Sequence, residues 1–511
     1  MNDPTAHKLG DRHLRPIDGL ARPSGQRRVR ITAGDAAARS VAGQHTLWML
    51  ANLLARQFGV IAEIELALPR VPLHARVALF GGRGSLPDSL AEVIRMVAGT
   101  AVRVTDVPAQ ADVEVVVGRP WGEQLPSTHR IAVAGSGWRV FAGGPDAVPE
   151  VNLDDANTLA PYFAACIIGG EVFKRLCGLQ PGKGRFIDAL TLSLWDFHPH
   201  TDWYQAPDGP PIDTVALPPF YLVGAGAVGQ AAAAALAAWD ALRGHVTIID
   251  LEGIDETNLN RYPLATLADV GAMKTELLTK YLADRGFTVH RSDNGWPGYA
   301  LDPLARSKQR PDLQTEEAAY RYRLVLSCVD KNVPRHAIQS YSPEYLIGAS
   351  TNGLGLAVAA YDMRSDFECL KCHNPPEPKG PAVEEIAEQL RRLPKDERRR
   401  RAEACGADWK AVEQYITDPR CGKLGEAEME KFTAGSPDWS VGFVSTASGT
   451  LLAAQLVKFA LLGRQAFPES EGNTLRFNFL NPGLRWSKHR RNPACDCIAE
   501  GRRRYLRLWE V

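Results

Sequence analysis

The sequence has no excess charge of either sign: 59 lysines and arginines offset 59 aspartates and glutamates over 511 residues. Without a net field the chain is not drawn as a whole to nucleic acid or to an anionic membrane surface, and a DNA-coating role is disfavoured. Long apolar runs are missing too. The most apolar stretch, Gly442 to Leu462, is interrupted by Ser, Thr, Gln and Lys458, so no membrane span of ~20 apolar residues is expected. The opening MNDPTAHKLGDRHLRP holds no apolar signal core, and a cytoplasmic location is expected. Cysteine is scarce, nine residues, too few for a disulfide scaffold of this length. Four of them form two tight pairs, Cys369/Cys372 and Cys495/Cys497, which in a reducing compartment point to a metal.

What is present reads as a large α/β protein. Residues 1–30 are polar and read as a flexible arm; Ala36 to Phe58 has helical spacing. An apolar strand candidate, Arg76 to Phe80, precedes Gly81-Gly82-Arg83-Gly84, then a helix (Asp88 to Val97) and strands at Val102 to Thr105 and Val113 to Val117. The same order recurs as a strand (Phe220 to Val223), a glycine turn, an alanine-rich helix (Gln230 to Leu242) and strands at His245 to Asp250 and Tyr322 to Val329. Each half closes on a small-residue helix, Asn157 to Gly178 and Ser445 to Gly463. We therefore expect two tandem Rossmann-like domains, 31–205 and 220–511, joined by a Pro-rich linker at 206–219. A charged helical insertion is expected at 373–435.

Gly224-x-Gly226-x-x-Gly229, between a strand and a helix, is a nucleotide-phosphate cradle in its proper context. Asp250, 26 residues after Gly224, is placed to accept ribose hydroxyls. Alone, this fingerprint suits NAD or FAD as well as ATP. Asp250-x-Glu252, Asn258-Leu259-Asn260-Arg261, Lys274 and Asp330 then gather two cations and several acids around one nucleotide. Two cations suit a triphosphate attacked at its α-phosphorus, and Asp330 at a strand end suits Mg²⁺.

These residues resemble the ThiF/MoeB and ubiquitin-activating enzyme superfamily, through GAGAVG, IIDLEGIDETNLNR, VGAMK, SCVDKNVPR, CLKC, RCG and CDC. The resemblance implies ATP- and Mg²⁺-dependent adenylation of the C-terminal carboxylate of a ubiquitin-like protein or sulfur carrier. It places Asp250 on the ribose, Asn258, Arg261 and Lys274 at the phosphates, and Asp330 on Mg²⁺. Tyr262 departs from the family's usual Gln, and the final pair is CxC, not CxxC. Cys369, Cys372, Cys495 and Cys497 supply four thiolates, enough for a tetrahedral Zn²⁺ that pins the C-terminal tail. His373 and His489 read as solvent-exposed rather than as ligands.

Cys421, between Arg420 and Lys423, is favoured as a thiolate, and the resemblance implies that it takes the activated carboxylate as a thioester for a conjugating enzyme. Cys405 is the runner-up; Cys166, Cys177 and Cys328 read as core. The first half lacks the Asn-x-Asn-Arg and Lys segments and resembles the inactive partner of activating enzymes, which can lend an arginine, with Arg39 the candidate. Bacterial operons of this type are implicated in antiviral defence, a setting that the resemblance alone implies. Adenylation without a thioester, an NAD-dependent oxidoreductase and a non-catalytic scaffold are the alternatives, and the oligomeric state stays open, a homodimer included.

Overall fold

The computed structural model describes residues 27–79, 84–98, 101–119, 125–150, 155–179, 182–301, 321–376, 388, 390–405, 409–417 and 441–509. The first sheet contains β1 (Arg28–Ala33), β2 (Glu63–Ala67), β3 (Ala101–Val104), β4 (Ala111–Val117), β5 (Ser127–Ser136), β6 (Arg139–Gly143), β7 (Ala189–Ser193) and β8 (Pro199–His200). Its spatial order is β3-β2-β1-β4-β5-β6-β7-β8. The first five run parallel, and the pairings beyond β5 are antiparallel.

A short strand β9 (Val215–Ala216) leads into the second sheet: β10 (Phe220–Val223), β11 (Leu242–Ile249), β12 (Phe287–Ser292), β13 (Leu324–Ser327), β14 (Tyr345–Asn352), β15 (Gly355–Tyr361), β16 (Thr474–Asn478) and β17 (Leu484–Ser487). The order β12-β11-β10-β13-β14-β15-β16-β17 repeats the first sheet strand for strand, including the change to antiparallel pairing at the same place.

Helices repeat as well. α1 (Val41–Ala55) joins β1 to β2, α2 (Leu86–Ala98) joins β2 to β3, and α3 (Leu159–Cys177) lies between β6 and β7. Their counterparts are α4 (Ala227–Ala238), α5 (Lys274–Ala283) and α9 (Gly442–Leu462), while α6 (Asn332–Ser340) follows β13. α9 is long and apolar enough, by length and composition alone, to cross a membrane. Here it packs against α3, α4, β14 and β15, and the polar residues that interrupt it, Ser448, Thr450 and Gln455, are buried. The paired halves meet through these helices, with Phe173 against Phe443 and Phe163 against Phe477.

The halves differ on the other face of each sheet. In the second, Trp296, Tyr299, Tyr322 and Ile338 build an apolar layer over Tyr221, Val223 and Val325. In the first, residues 105–110 connect β3 to β4 directly, without a helix. One face there carries a charge ladder in strand order: Arg103, Glu65, Arg30, Glu114 and Arg130 stand in register across β3, β2, β1, β4 and β5. Arg30 Nε donates to Glu65 Oε1 at 2.7 Å with both groups fully buried, so each charge is held by an opposite one.

The fold departs from the expectations of the sequence at several points. The first strand is β1, so Arg28 to Arg30 belong to the sheet and not to an arm; alternating arginine and valine mask a half-polar strand. Arg76 to Leu79 is not a strand: Val77 and Leu79 are buried, but Leu79 reverses the backbone at φ 59°. Phe80 to Arg83 lie outside the described residues. The helix expected over Ala36 to Phe58 breaks at Ser40, whose backbone is extended and whose hydroxyl caps α1 by accepting the Gly43 N–H. Residues 376–439 form a separate compact unit, in which α7 (Lys395–Cys405) and α8 (Trp409–Thr417) are joined by the Arg398–Glu413 ion pair and bury Leu390, Val412 and Ile416.

Candidate functional site

β10 ends against a turn that only glycine permits. Gly224 has φ 96°, and a Cβ there would stand 2.8 Å from the carbonyl carbon of Cys328; a Cβ on Gly229 would stand 2.1 Å from the Gly224 carbonyl oxygen. Gly226 caps α4, so the unpaired N–H groups of that helix's first turn open onto the turn. Asp250 follows β11 and is tied to the same place: Ala225 N–H donates to its Oδ2 at 2.6 Å and Glu252 N–H to its Oδ1 at 2.9 Å. Burial raises its pKa above the ordinary carboxylate value, opposed by Lys274 and those two N–H groups.

The loop after Asp250 returns on a short bridge between Gly253 and Met273, and the Lys274 N–H donates to the Glu252 carbonyl at 3.1 Å. That closure brings Lys274, 16 residues after Asn258, back beside Asp250. Its ammonium pairs with Glu252 and lies 5.6 Å from the centroid of the Tyr262 ring. Burial alone would lower the Lys274 pKa, but Tyr262, Glu252 and Asp250 outweigh it and hold the pKa above the ordinary lysine value. Tyr262 is 2% exposed, and its hydroxyl oxygen lies 3.6 Å from where a Cβ on Gly226 would stand. The Arg261 guanidinium is 5.4 Å from the same ring and donates to the Thr257 carbonyl and Asn260 Oδ1. Asn258 Oδ1 accepts the Asp255 N–H at 2.9 Å, so part of that side chain folds its own turn. Gly224, Gly226, Gly229, Asp250, Tyr262 and Lys274 thus converge, and Arg261 stands beside the Tyr262 ring. Asp330 stands three residues beyond β13, exposed, in a loop that begins where Cys328 N–H donates to the Val223 carbonyl at 2.8 Å.

Residues 219–497, more than half the chain, match the model of the ThiF family. The chain belongs to the ThiF family. Residues 28–194, ahead of the ThiF segment, match the BilD N-terminal domain. The whole resembles an uncharacterised protein, y4jF, of Sinorhizobium fredii (strain NBRC 101917 / NGR234), at 26% identity over 89% of this chain and 85% of that protein. A shorter stretch is 31% identical to the bacterial E1-like protein BilD of Collimonas sp. (strain OK412), covering 34% of this chain and 41% of that one.

At the far side of the ThiF domain, Cys369, Cys372, Cys495 and Cys497 point four sulfurs at one centre, all within 4.8 Å of one another. The Sγ–Sγ distances of 3.6, 3.8 and 3.3 Å approach the roughly 3.8 Å that tetrahedral zinc–thiolate bonds of ~2.3 Å impose. The donor set therefore fits Zn²⁺. Around it pack Met363 and Tyr505 of the C-terminal helix α10 (Glu500–Trp509), and the Tyr505 hydroxyl donates to the Glu344 carbonyl at 2.8 Å. His373 and His489 are half-buried, not solvent-exposed as expected, and stand around Glu368 rather than in the thiol cluster.

Cys166 and Cys177 are buried in α3, Cys328 is buried beside the turn, and burial raises all three thiol pKa values. Cys421 lies outside the described residues; Cys405 ends α7, and its side chain lies outside the described ones. Arg39 is 60% exposed and pairs within its own short helix with Asp35 at 2.8 Å, the two side chains four residues apart. From the first half, Arg56 and Asn52, which the sequence analysis did not single out, reach the Arg261 loop.

Proposed function

We propose that this ThiF-family chain activates the C-terminal carboxylate of a ubiquitin-like protein with ATP. The observation that carries the reading is the convergence of Asp250, Lys274 and Tyr262 on the Gly224 turn, with Arg261 beside the Tyr262 ring. In this reading Asp250 accepts the ribose hydroxyls, the N-terminus of α4 holds phosphate, and Lys274, Arg261 and Asn258 offset charge that builds on phosphate oxygens as the carboxylate attacks the α-phosphorus. Asp330 holds Mg²⁺ through its exposed carboxylate. Pyrophosphate leaves and the carrier becomes an acyl adenylate.

The Cys421 thiolate then attacks the acyl carbon, AMP leaves, and the thioester is ready for a conjugating enzyme. The first half is the non-adenylating partner. Asp35 opens the short helix that follows β1 and Gly34, and a carboxylate at that helix N-terminus repels phosphate. Zinc on the four cysteines has a structural role, and the site sits in reducing cytoplasm.

The test is carrier-dependent ATP–pyrophosphate exchange with a small ubiquitin-like protein that ends in glycine. Wild type exchanges; Asp330→Ala and Lys274→Ala lose exchange by orders of magnitude. Cys421→Ala keeps exchange and loses a thiol-sensitive adduct. If wild type exchanges but forms no adduct, adenylation without a thioester replaces this reading. If it binds nicotinamide dinucleotide and not ATP, the oxidoreductase replaces it.

A further inference from the structure

We propose that Arg56, on the first half, is a positioning residue that sets the shape of the Arg261 loop in the second. Arg56 caps the C-terminus of α1 and is 1% exposed. Its Nη1 donates to the Leu259 carbonyl at 2.5 Å, and its Nη2 to the Ala265 carbonyl at 2.9 Å and the Pro263 carbonyl at 3.4 Å. Its Nε donates to Asn52 Oδ1 at 2.9 Å, and Asn52 Nδ2 in turn donates to the Pro263 carbonyl at 2.8 Å.

A buried guanidinium is normally balanced by a carboxylate, because an isolated buried charge is costly. Among the described residues no carboxylate stands within ion-pair distance of Arg56; backbone carbonyls of the other half take that place. Those carbonyls bracket Arg261 and Tyr262. A guanidinium is planar and rigid, so its donors fix the spacing of Leu259, Pro263 and Ala265 as a flexible lysine cannot. On its other side the loop meets the start of α9, where a Cβ on Gly442 would stand 3.0 Å from the Asn260 carbonyl oxygen. The Arg261 loop is thus held from behind by side chains of the first half.

This inference rests on the nucleotide reading of the Gly224 turn, so its test uses MgATP titrated calorimetrically into the full chain. Four proteins are compared with wild type: Arg56→Met, Arg56→Lys, Arg261→Met and Arg56→Met/Arg261→Met. Arg56→Met is expected to weaken MgATP binding at least tenfold and Arg56→Lys by less. In the Arg261→Met background, Arg56→Met should add under twofold, since it acts through Arg261. Additive losses, or wild-type binding by Arg56→Met while Arg261→Met is weakened, overturn the positioning role and leave the nucleotide reading intact. Wild-type binding by Arg261→Met overturns the positioning role, which acts through Arg261, while absence of MgATP binding by wild type overturns the nucleotide reading. Should Arg56→Met fail to fold, Arg56→Lys replaces it in the cycle, where a non-additive loss supports the positioning role and an additive one overturns it.

Discussion

The ammonium of Lys274 lies over the ring of Tyr262, and the Tyr262 hydroxyl lies against Gly226. One phenol therefore touches both the lysine and the turn that it serves. Tyr262→Phe keeps the ring and deletes the oxygen. Losing its partly screened hydrogen bond to Lys274 costs the folded chain about 1 kcal/mol, so the urea midpoint should fall slightly, and MgATP binding should weaken by up to about fivefold as the ammonium loses its anchor. Unaltered affinity would show that the hydroxyl is only packing.

Gly224→Ala forces a Cβ to within 2.8 Å of the Cys328 carbonyl carbon at a φ of 96°. Both the clash and the left-handed backbone penalise it, by about 1–3 kcal/mol for the backbone alone. Denaturant unfolding should detect the loss, and titration should find MgATP affinity reduced at least tenfold, because the turn must widen where the proposed function seats phosphate.

Purified protein is expected to contain about one zinc per chain, released by a strong chelator or by Cys372→Ser. Because the thiol cluster packs against Tyr505, the loss should appear first as faster amide hydrogen exchange over residues 500–509. Wild-type protein with no zinc and slow exchange there would refute this.

Lys458 of α9 is 4% exposed, its ammonium 4.2 Å from the centroid of Phe197. Burial brings its pKa down to about 7, Asp196 opposing. Between pH 7 and the ordinary value of 10.5 the unfolded chain holds a proton that the folded chain does not, so stability rises with pH through that window. Below pH 7 the penalty is complete, of order several kcal/mol before the ring contacts offset part of it. Lys458→Met should therefore stabilise the protein near pH 6 and flatten the rise between pH 7 and 10. His45 acts in a separate window: burial holds its pKa at about 3, so acidification below its ordinary 6.5 removes stability. Urea midpoints across pH separate the two.

The parts of the site visible in the sequence were those encoded locally. A strand, a glycine turn and a helix within twenty residues announce the Gly224 turn, and Cys-x-x-Cys with Cys-x-Cys announces the thiol cluster. The small-residue helices were visible for the same reason. What was hidden depends on partners distant in sequence. Arg56 is separated by 203 residues from the carbonyl it holds, and nothing around it in α1 marks it as more than a polar end. β1 was hidden because its arginines are neutralised by acids on strands not yet placed. Arg39 looked available because Asp35, its partner, lies only four residues away on the same exposed helix.

That neutralisation has a consequence for how the first half assembles. Parallel strands rich in valine and isoleucine can slide by two residues and still bury an apolar face. The row Arg103, Glu65, Arg30, Glu114, Arg130 opposes it: sliding β1 along β2 sets Arg30 against Ala67 in one direction, leaving only Arg28 on Glu65, and Glu65 against Thr32 in the other, leaving only Arg30 on Glu63. Either slip keeps only one of the two Arg–Glu pairs between β1 and β2 and takes a partner from a buried charge. The ladder makes the native alignment the one that pairs both arginines of β1 with acids of β2. The same alignment carries α1, and with it Arg56, to its one place against the other half.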